Sequence, residues 1–64
     1  MANIRLEAAA RRAHVHVLDI LEWIAAGTLP ATWQAATDTQ PATGWHMDPA
    51  DVDMAALKAR RHAA

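Results

Sequence analysis

At 64 residues, with no cysteine and a formal net charge of -1, the chain has room for one small domain spanning residues 1–64. The absence of cysteine excludes disulfides, zinc fingers and a thiol nucleophile, and with no serine in the chain no nucleophile-base pair predicts an enzyme. No apolar run approaches the roughly 18 residues that cross a bilayer, and the first residues lack a signal-peptide pattern. We therefore expect a cytoplasmic protein with no membrane partner.

The first half of the chain predicts two helices joined by a tight turn. Residues 4–13 are rich in Ala, Leu, Glu and Arg, which are strong helix formers. Apolar residues recur at helical spacing over residues 17–26, and Gly27 is expected to end this second helix. Alternating histidine and valine over residues 14–17 favours the turn. One continuous helix over residues 4–26 is the alternative, because nothing in that segment is a true helix breaker.

After Pro30 the helical period is lost, which indicates a hairpin. The predicted strands cover residues 31–35 and 44–47, with a polar tip at residues 37–43. The hairpin carries Trp33 and Trp45. At least one of these rings is expected to cover the small core, and stacking on the bases of a single-stranded nucleic acid is the alternative role.

A third helix is predicted to begin at Asp48. This residue supplies an N-cap carboxylate, Pro49 fits the first helical position, and Asp51 lies near the positive end of the helix dipole. The helix is expected to fray, leaving residues 58–64 as a flexible basic tail. Its predicted core residues are Val52 and Ala56, with Leu57 as a further candidate.

This order of elements resembles the small winged helix-turn-helix domains of phage excisionases and MerR-type regulators. The resemblance covers nearly the whole chain and is carried by two segments, Trp23-Ile24-Ala25-Ala26-Gly27-Thr28-Leu29-Pro30 and Trp45-His46-Met47-Asp48-Pro49-Ala50-Asp51-Val52. It implies a mostly helical α+β winged helix-turn-helix that binds double-stranded DNA without a cofactor. The implied role is an excisionase-like recombination factor or a small transcriptional regulator.

The chain departs from this family's pattern at three places. The turn is His14-Val15-His16, where the family has Gly-Val followed by Ser or Thr. The second helix contains Asp19 and Glu22 and no cation, where the family carries Arg or Lys towards the major groove. The wing tip at residues 37–43 has one acid and no cation. These acids favour an alternative function, a protein-interaction module whose acidic second helix faces a basic partner.

The cations lie near the two ends of the chain, so a phosphate-binding surface must bring these ends together. With so few cations we expect weak binding at a single site, and hence contacts between copies or with an integrase or RNA polymerase. Metal binding by the histidines is not predicted, because they form no His-x-x-x-His pair. Helix-end stabilisation and turn capping are the alternative roles for the arginine pair and the first two histidines. The candidate DNA-binding residues are Arg11, Arg12, His14, His16, Gln34, Lys58, Arg60 and Arg61.

Overall fold

A computed structural model of the protein describes residues 3–39 and 44–62. Within these residues the fold is a mostly helical α+β arrangement, as predicted, and a wing-like hairpin is compatible with it. No helix there has the length and apolar character needed to span a membrane. In chain order the elements are β1 (Ile4–Arg5), α1 (Leu6–Ala13), α2 (Val17–Ala25), β2 (Thr32–Gln34), β3 (Gly44–Met47) and α3 (Pro49–His62).

A tight turn separates α1 from α2, which confirms the two-helix interpretation and excludes a single helix over residues 4–26. His14 takes a left-handed conformation, with φ 58° and ψ 43°. The N–H of Val15 then donates to the carbonyl of Ala10 at 3.0 Å and that of His14 to Arg11 at 3.3 Å. These bonds satisfy carbonyls at the end of α1 and direct the chain away from the helix axis.

Gly27 ends α2 as predicted, after a C-cap at Ala26. Its φ of 78° lies in the left-handed region that glycine adopts without a steric penalty. The N–H of Gly27 donates to Ile24 at 3.1 Å and that of Thr28 donates to Trp23 at 2.9 Å. This pair of bonds is a Schellman motif, and it turns the chain towards the hairpin.

The hairpin is the predicted one, although β2 is shorter than residues 31–35. It belongs to a three-stranded antiparallel sheet in the order β1-β3-β2. Trp33 and Trp45 are partners in the register, with ring centroids 5.3 Å apart in an edge-to-face arrangement. Most of the predicted tip, residues 40–43, lies outside the described residues.

The strand β1 was not predicted, and the assignment of residues 4–5 to the first helix is wrong. Ile4 pairs with Met47 and Arg5 pairs with His46 on β3. These partners lie more than forty positions away in the chain, so local helix propensity carries no sign of them. The pairing places β3 at the centre of the sheet and holds the chain's first described residues against the hairpin.

The helix α3 begins as predicted. The N–H of Ala50 donates to Oδ1 of Asp48 at 2.8 Å, so the Asp48 carboxylate caps the helix. Val52 and Ala56 are buried, but Leu57 is 41% exposed and lies outside the core. The helix continues through His62, so residues 58–62, which were assigned to a flexible tail, are helical; residues 63–64 are outside the described part of the chain.

The core lies between the three helices and the sheet. Its largest fully buried side chains are Ile20, Leu29, Met47 and Val52. The face that α1 contributes consists of alanines, whose small size lets α2 and α3 both approach it closely. Trp23 and Trp45 pack against this core, whereas Trp33 is 56% exposed. Trp45 therefore covers the core, as expected of at least one hairpin tryptophan. The small buried residues are Ala9, Ala10, Ala13, Ala55 and Ala56.

Candidate nucleic-acid interface

The start of α2 is capped by the side chain of His16. The Nδ1 of His16 accepts from the N–H of Leu18 at 3.1 Å. The carboxylate of Asp19 accepts from the N–H of His16 at 3.3 Å, which completes a capping box. Nδ1 must be unprotonated to accept, so the Nε2–H is the donor that this ring presents to a ligand. The Asp19 carboxylate is engaged in the same capping box through the N–H of His16.

His14 is the left-handed residue of the turn. A left-handed φ is uncommon for a residue with a side chain and costs free energy. The residue is exposed, and its side chain lies at the edge of a groove shared with Arg60. The turn therefore presents two imidazoles, one from His14 and one from His16.

The groove beside His14 is open and has a volume of about 370 Å³. It lies where the end of α1, the turn, α2 and α3 meet. Arg60 of α3 lines it together with His14, so two of the predicted candidate residues lie beside the same groove. Its other lining residues are Ala13, Val15, Trp23, Ala56 and Ala59.

Arg12 is held in an ion pair that joins α1 to α3. Its Nε donates to Oδ1 of Asp53 at 2.8 Å and its Nη2 donates to Oδ2 at 2.9 Å. These hydrogen bonds, with smaller charge effects from Arg12 and Arg60, hold the pKa of Asp53 below its ordinary value, and they raise the pKa of Arg12. A phosphate that binds Arg12 must therefore compete with Asp53.

Of the remaining candidates, Arg11 lies next to Arg12 in the last turn of α1, and the other three lie apart from this group. Arg11 is exposed on α1, and Gln34 is exposed on β2 in the hairpin. Lys58 and Arg61 lie one turn apart on α3, on a side of the helix different from the side that carries Arg60. The structure thus gathers Arg12, His14 and Arg60 near the turn and places the other two α3 cations elsewhere.

The exposed side of α2 is apolar and acidic. Leu18 is 66% exposed, and Glu22 and Ala25 lie on the same side of the helix at spacings of four and seven. Within residues 3–39 and 44–62 the side-chain carboxylate of Glu22 makes neither a hydrogen bond nor an ion pair. We name Leu18, Glu22 and Ala25 the α2 face. Sequence reasoning overlooked Leu18, although it lies outside the apolar stripe of its helix.

The exposed side of α3 has a similar apolar content and the opposite charge. Met54 is 56% exposed, and Leu57, Lys58 and Arg61 follow it at spacings of three, four and seven. We name Met54, Leu57, Lys58 and Arg61 the α3 face. The sequence predicts Leu57 as a further candidate for the core and the two cations as part of a frayed tail, so it does not predict that these residues share one side of a helix.

Among the described residues there is no cluster of three histidine or acidic side chains that could hold a metal ion. No family model, curated protein or solved structure matches the chain. The candidate interface is therefore described by the geometry of the chain itself. Two helices are joined by a tight turn with His14 at one end and His16 at the other, a hairpin follows, and Arg60 lies beside the turn.

Proposed function

We propose that the protein binds double-stranded DNA as a small accessory factor in recombination or transcription. The observation that carries this proposal is the turn between α1 and α2. His14 in the left-handed conformation and His16 as the N-cap reproduce the backbone roles of glycine and Ser or Thr in winged helix-turn-helix domains. The departure of the turn residues from the family pattern is therefore compatible with the backbone geometry of such a turn.

The phosphate contacts come from the surface beside the turn. Arg11 is exposed at the end of α1, His14 and Arg60 share the groove, and the Nε2–H of His16 is available at the start of α2. These donors suit phosphate oxygens, which are the commonest partners in protein–DNA interfaces. The α2 face offers no cation, so the contacts lie at the start of α2 and not along this face.

Few cations take part, so one copy binds weakly and with a shallow salt dependence. Each phosphate neutralised contributes about 0.9 to the slope of the logarithm of the binding constant against the logarithm of salt concentration. Fluorescence anisotropy with a labelled duplex, titrated at several salt concentrations, measures this slope. Arg11→Ala combined with Arg60→Ala is expected to flatten it by up to about two units.

The matched control is Arg5→Ala, which removes an exposed cation from β1, away from the turn in the fold. It is expected to leave the slope unchanged. An equal loss in the control means that net charge alone governs binding and contradicts the assigned surface. Absence of binding to any duplex at low salt and tens of micromolar protein overturns the function itself.

A second function, contact with another protein through α2, is favoured by a separate observation. Leu18 is 66% exposed beside Glu22, and α2 contains no cation. An exposed leucine next to an acid suits a protein surface with apolar and basic groups. Binding of a protein partner that is lost with Glu22→Arg supports this function, whereas a gain of DNA affinity without loss of any protein contact contradicts it.

A further inference from the structure

We propose that the α2 face of one copy docks on the α3 face of a second copy, so that copies of this chain join head to tail. The inference goes beyond DNA binding and does not depend on it, because both faces belong to the free protein. It assigns a role to exposed side chains that neither the core nor the turn uses.

The first argument is the distribution of apolar groups. Within residues 3–39 and 44–62, the large hydrophobic side chains that are strongly exposed are Leu18, Trp33, Met54 and Leu57. Three of the four belong to the two faces, where each apolar group stands next to a charge on the same side of its helix. Exposed apolar residues scattered singly are ordinary, but apolar groups aligned at helical spacing form the contact stripe of helix–helix recognition.

The second argument is charge. In the α2 face the carboxylate of Glu22 has no hydrogen-bond or ion-pair partner among the described residues, and α2 has no cation that could neutralise it. The α3 face carries Lys58 and Arg61, while Asp51 lies two turns before Lys58 in the first turn of α3 and Asp53 is paired with Arg12. Pairing α2 with α3 therefore brings opposite charges together beside apolar contacts, whereas pairing two α2 faces or two α3 faces brings like charges together.

This choice of partner permits assemblies larger than a dimer. A contact between two different surfaces is heterologous, and it continues from copy to copy unless the rotation closes a ring. Each face extends about 10 Å along its helix, so the contact is small and the association in free solution is weak. Binding of several copies along one duplex raises their local concentration and strengthens the same contact.

Sedimentation velocity on the DNA-free protein, over a series of concentrations at low salt, tests the proposal. The parent is expected to give a sedimentation coefficient that rises with concentration without stopping at the value of a dimer. Glu22→Arg is expected to weaken the association by at least about tenfold, because it places a cation opposite Lys58 and Arg61. Lys58→Glu combined with Arg61→Glu is expected to weaken it similarly.

The deciding variant combines Glu22→Arg, Lys58→Glu and Arg61→Glu in one chain. It restores opposite charges across the contact, so it is expected to associate as the parent does, although each set alone weakens association. Glu7→Arg and Arg5→Glu are matched charge reversals outside the two faces, and they are expected to leave the association unchanged. A parent that remains monomeric at millimolar concentration, a plateau at the dimer, or failure of the combined variant to recover association overturns the proposal.

Discussion

The exposed sides of α2 and α3 are alike in their apolar content and opposite in charge. Leu18 and Glu22 characterise the α2 face, and Met54, Leu57, Lys58 and Arg61 make up most of the exposed side of α3. The net charge of -1 conceals this separation. Glu22 on the α2 face and the two cations on the α3 face therefore make these surfaces complementary. Although α2 carries no cation, it has a surface suited to a basic partner.

The two helices also differ in how their inner sides are anchored. Ile20 is fully buried in α2, as Val52 is in α3, while the exposed faces contribute nothing to the core. We therefore expect a sharp division between the effects of inner and outer substitutions. A face whose side chains contribute to stability is not a free docking surface. Comparing the stabilities of inner and outer variants therefore tests whether the two faces are free.

The largest expected effect is on stability. Ile20→Ala deletes buried methyl groups from a well-packed site and is expected to lower the free energy of unfolding by roughly 2 to 5 kcal/mol. Leu18→Ala, its matched control on the α2 face, is expected to change it by less than about 0.5 kcal/mol. Urea denaturation followed by tryptophan fluorescence measures both. Equal losses in the two variants contradict the assignment of Leu18 to an exposed face.

The caps of the two helices provide the next prediction. His16→Ala removes the acceptor for the N–H of Leu18, and Asp48→Ala removes the acceptor for the N–H of Ala50. Each is expected to cost about 0.5 to 2 kcal/mol. His16→Ser keeps an acceptor and is expected to retain most of the parent's stability. Thermal melts of the three variants decide whether the histidine caps α2, because equal melts for the Ala and Ser variants contradict it.

A smaller effect concerns DNA. Asp53→Asn removes the carboxylate that holds Arg12 and so leaves its guanidinium available for a phosphate. We expect the salt slope of duplex binding to steepen by up to about 0.9. Asp51→Asn removes one acid from the same helix without touching Arg12, so it separates this effect from net charge. A steepening shared by both variants contradicts a specific release of Arg12.

Residues whose roles are local were predictable from the sequence. Gly27 requires a positive φ, and the Asp48-Pro49 pair fits the first positions of a helix, so both helix boundaries were predicted correctly. The strand formed by Ile4 and Arg5 was not, because it exists only through pairing with β3. No residue near Ile4 carries information about a partner so far along the chain.

The candidate site divides in the same way. The positions of Arg11 and Arg12 at the end of α1 followed from helix propensity, but the capture of Arg12 by Asp53 depends on how α1 and α3 pack. The α3 face was not predicted, because the basic residues at the end of the third helix were interpreted as a frayed tail. Once α3 is continuous through His62, helical spacing alone brings Lys58 and Arg61 onto one side with Met54.

The central claim is that the surface that binds DNA and the faces that join copies are separate. One measurement tests it: titration of the parent and Glu22→Arg onto a short duplex for one copy and a long duplex for several, with Glu7→Arg as a matched charge control. We predict that the parent binds the long duplex cooperatively, and that Glu22→Arg loses this cooperativity while matching the Glu7→Arg control on the short duplex. Cooperativity that survives Glu22→Arg, or a change of affinity on the short duplex that the control does not share, contradicts the account.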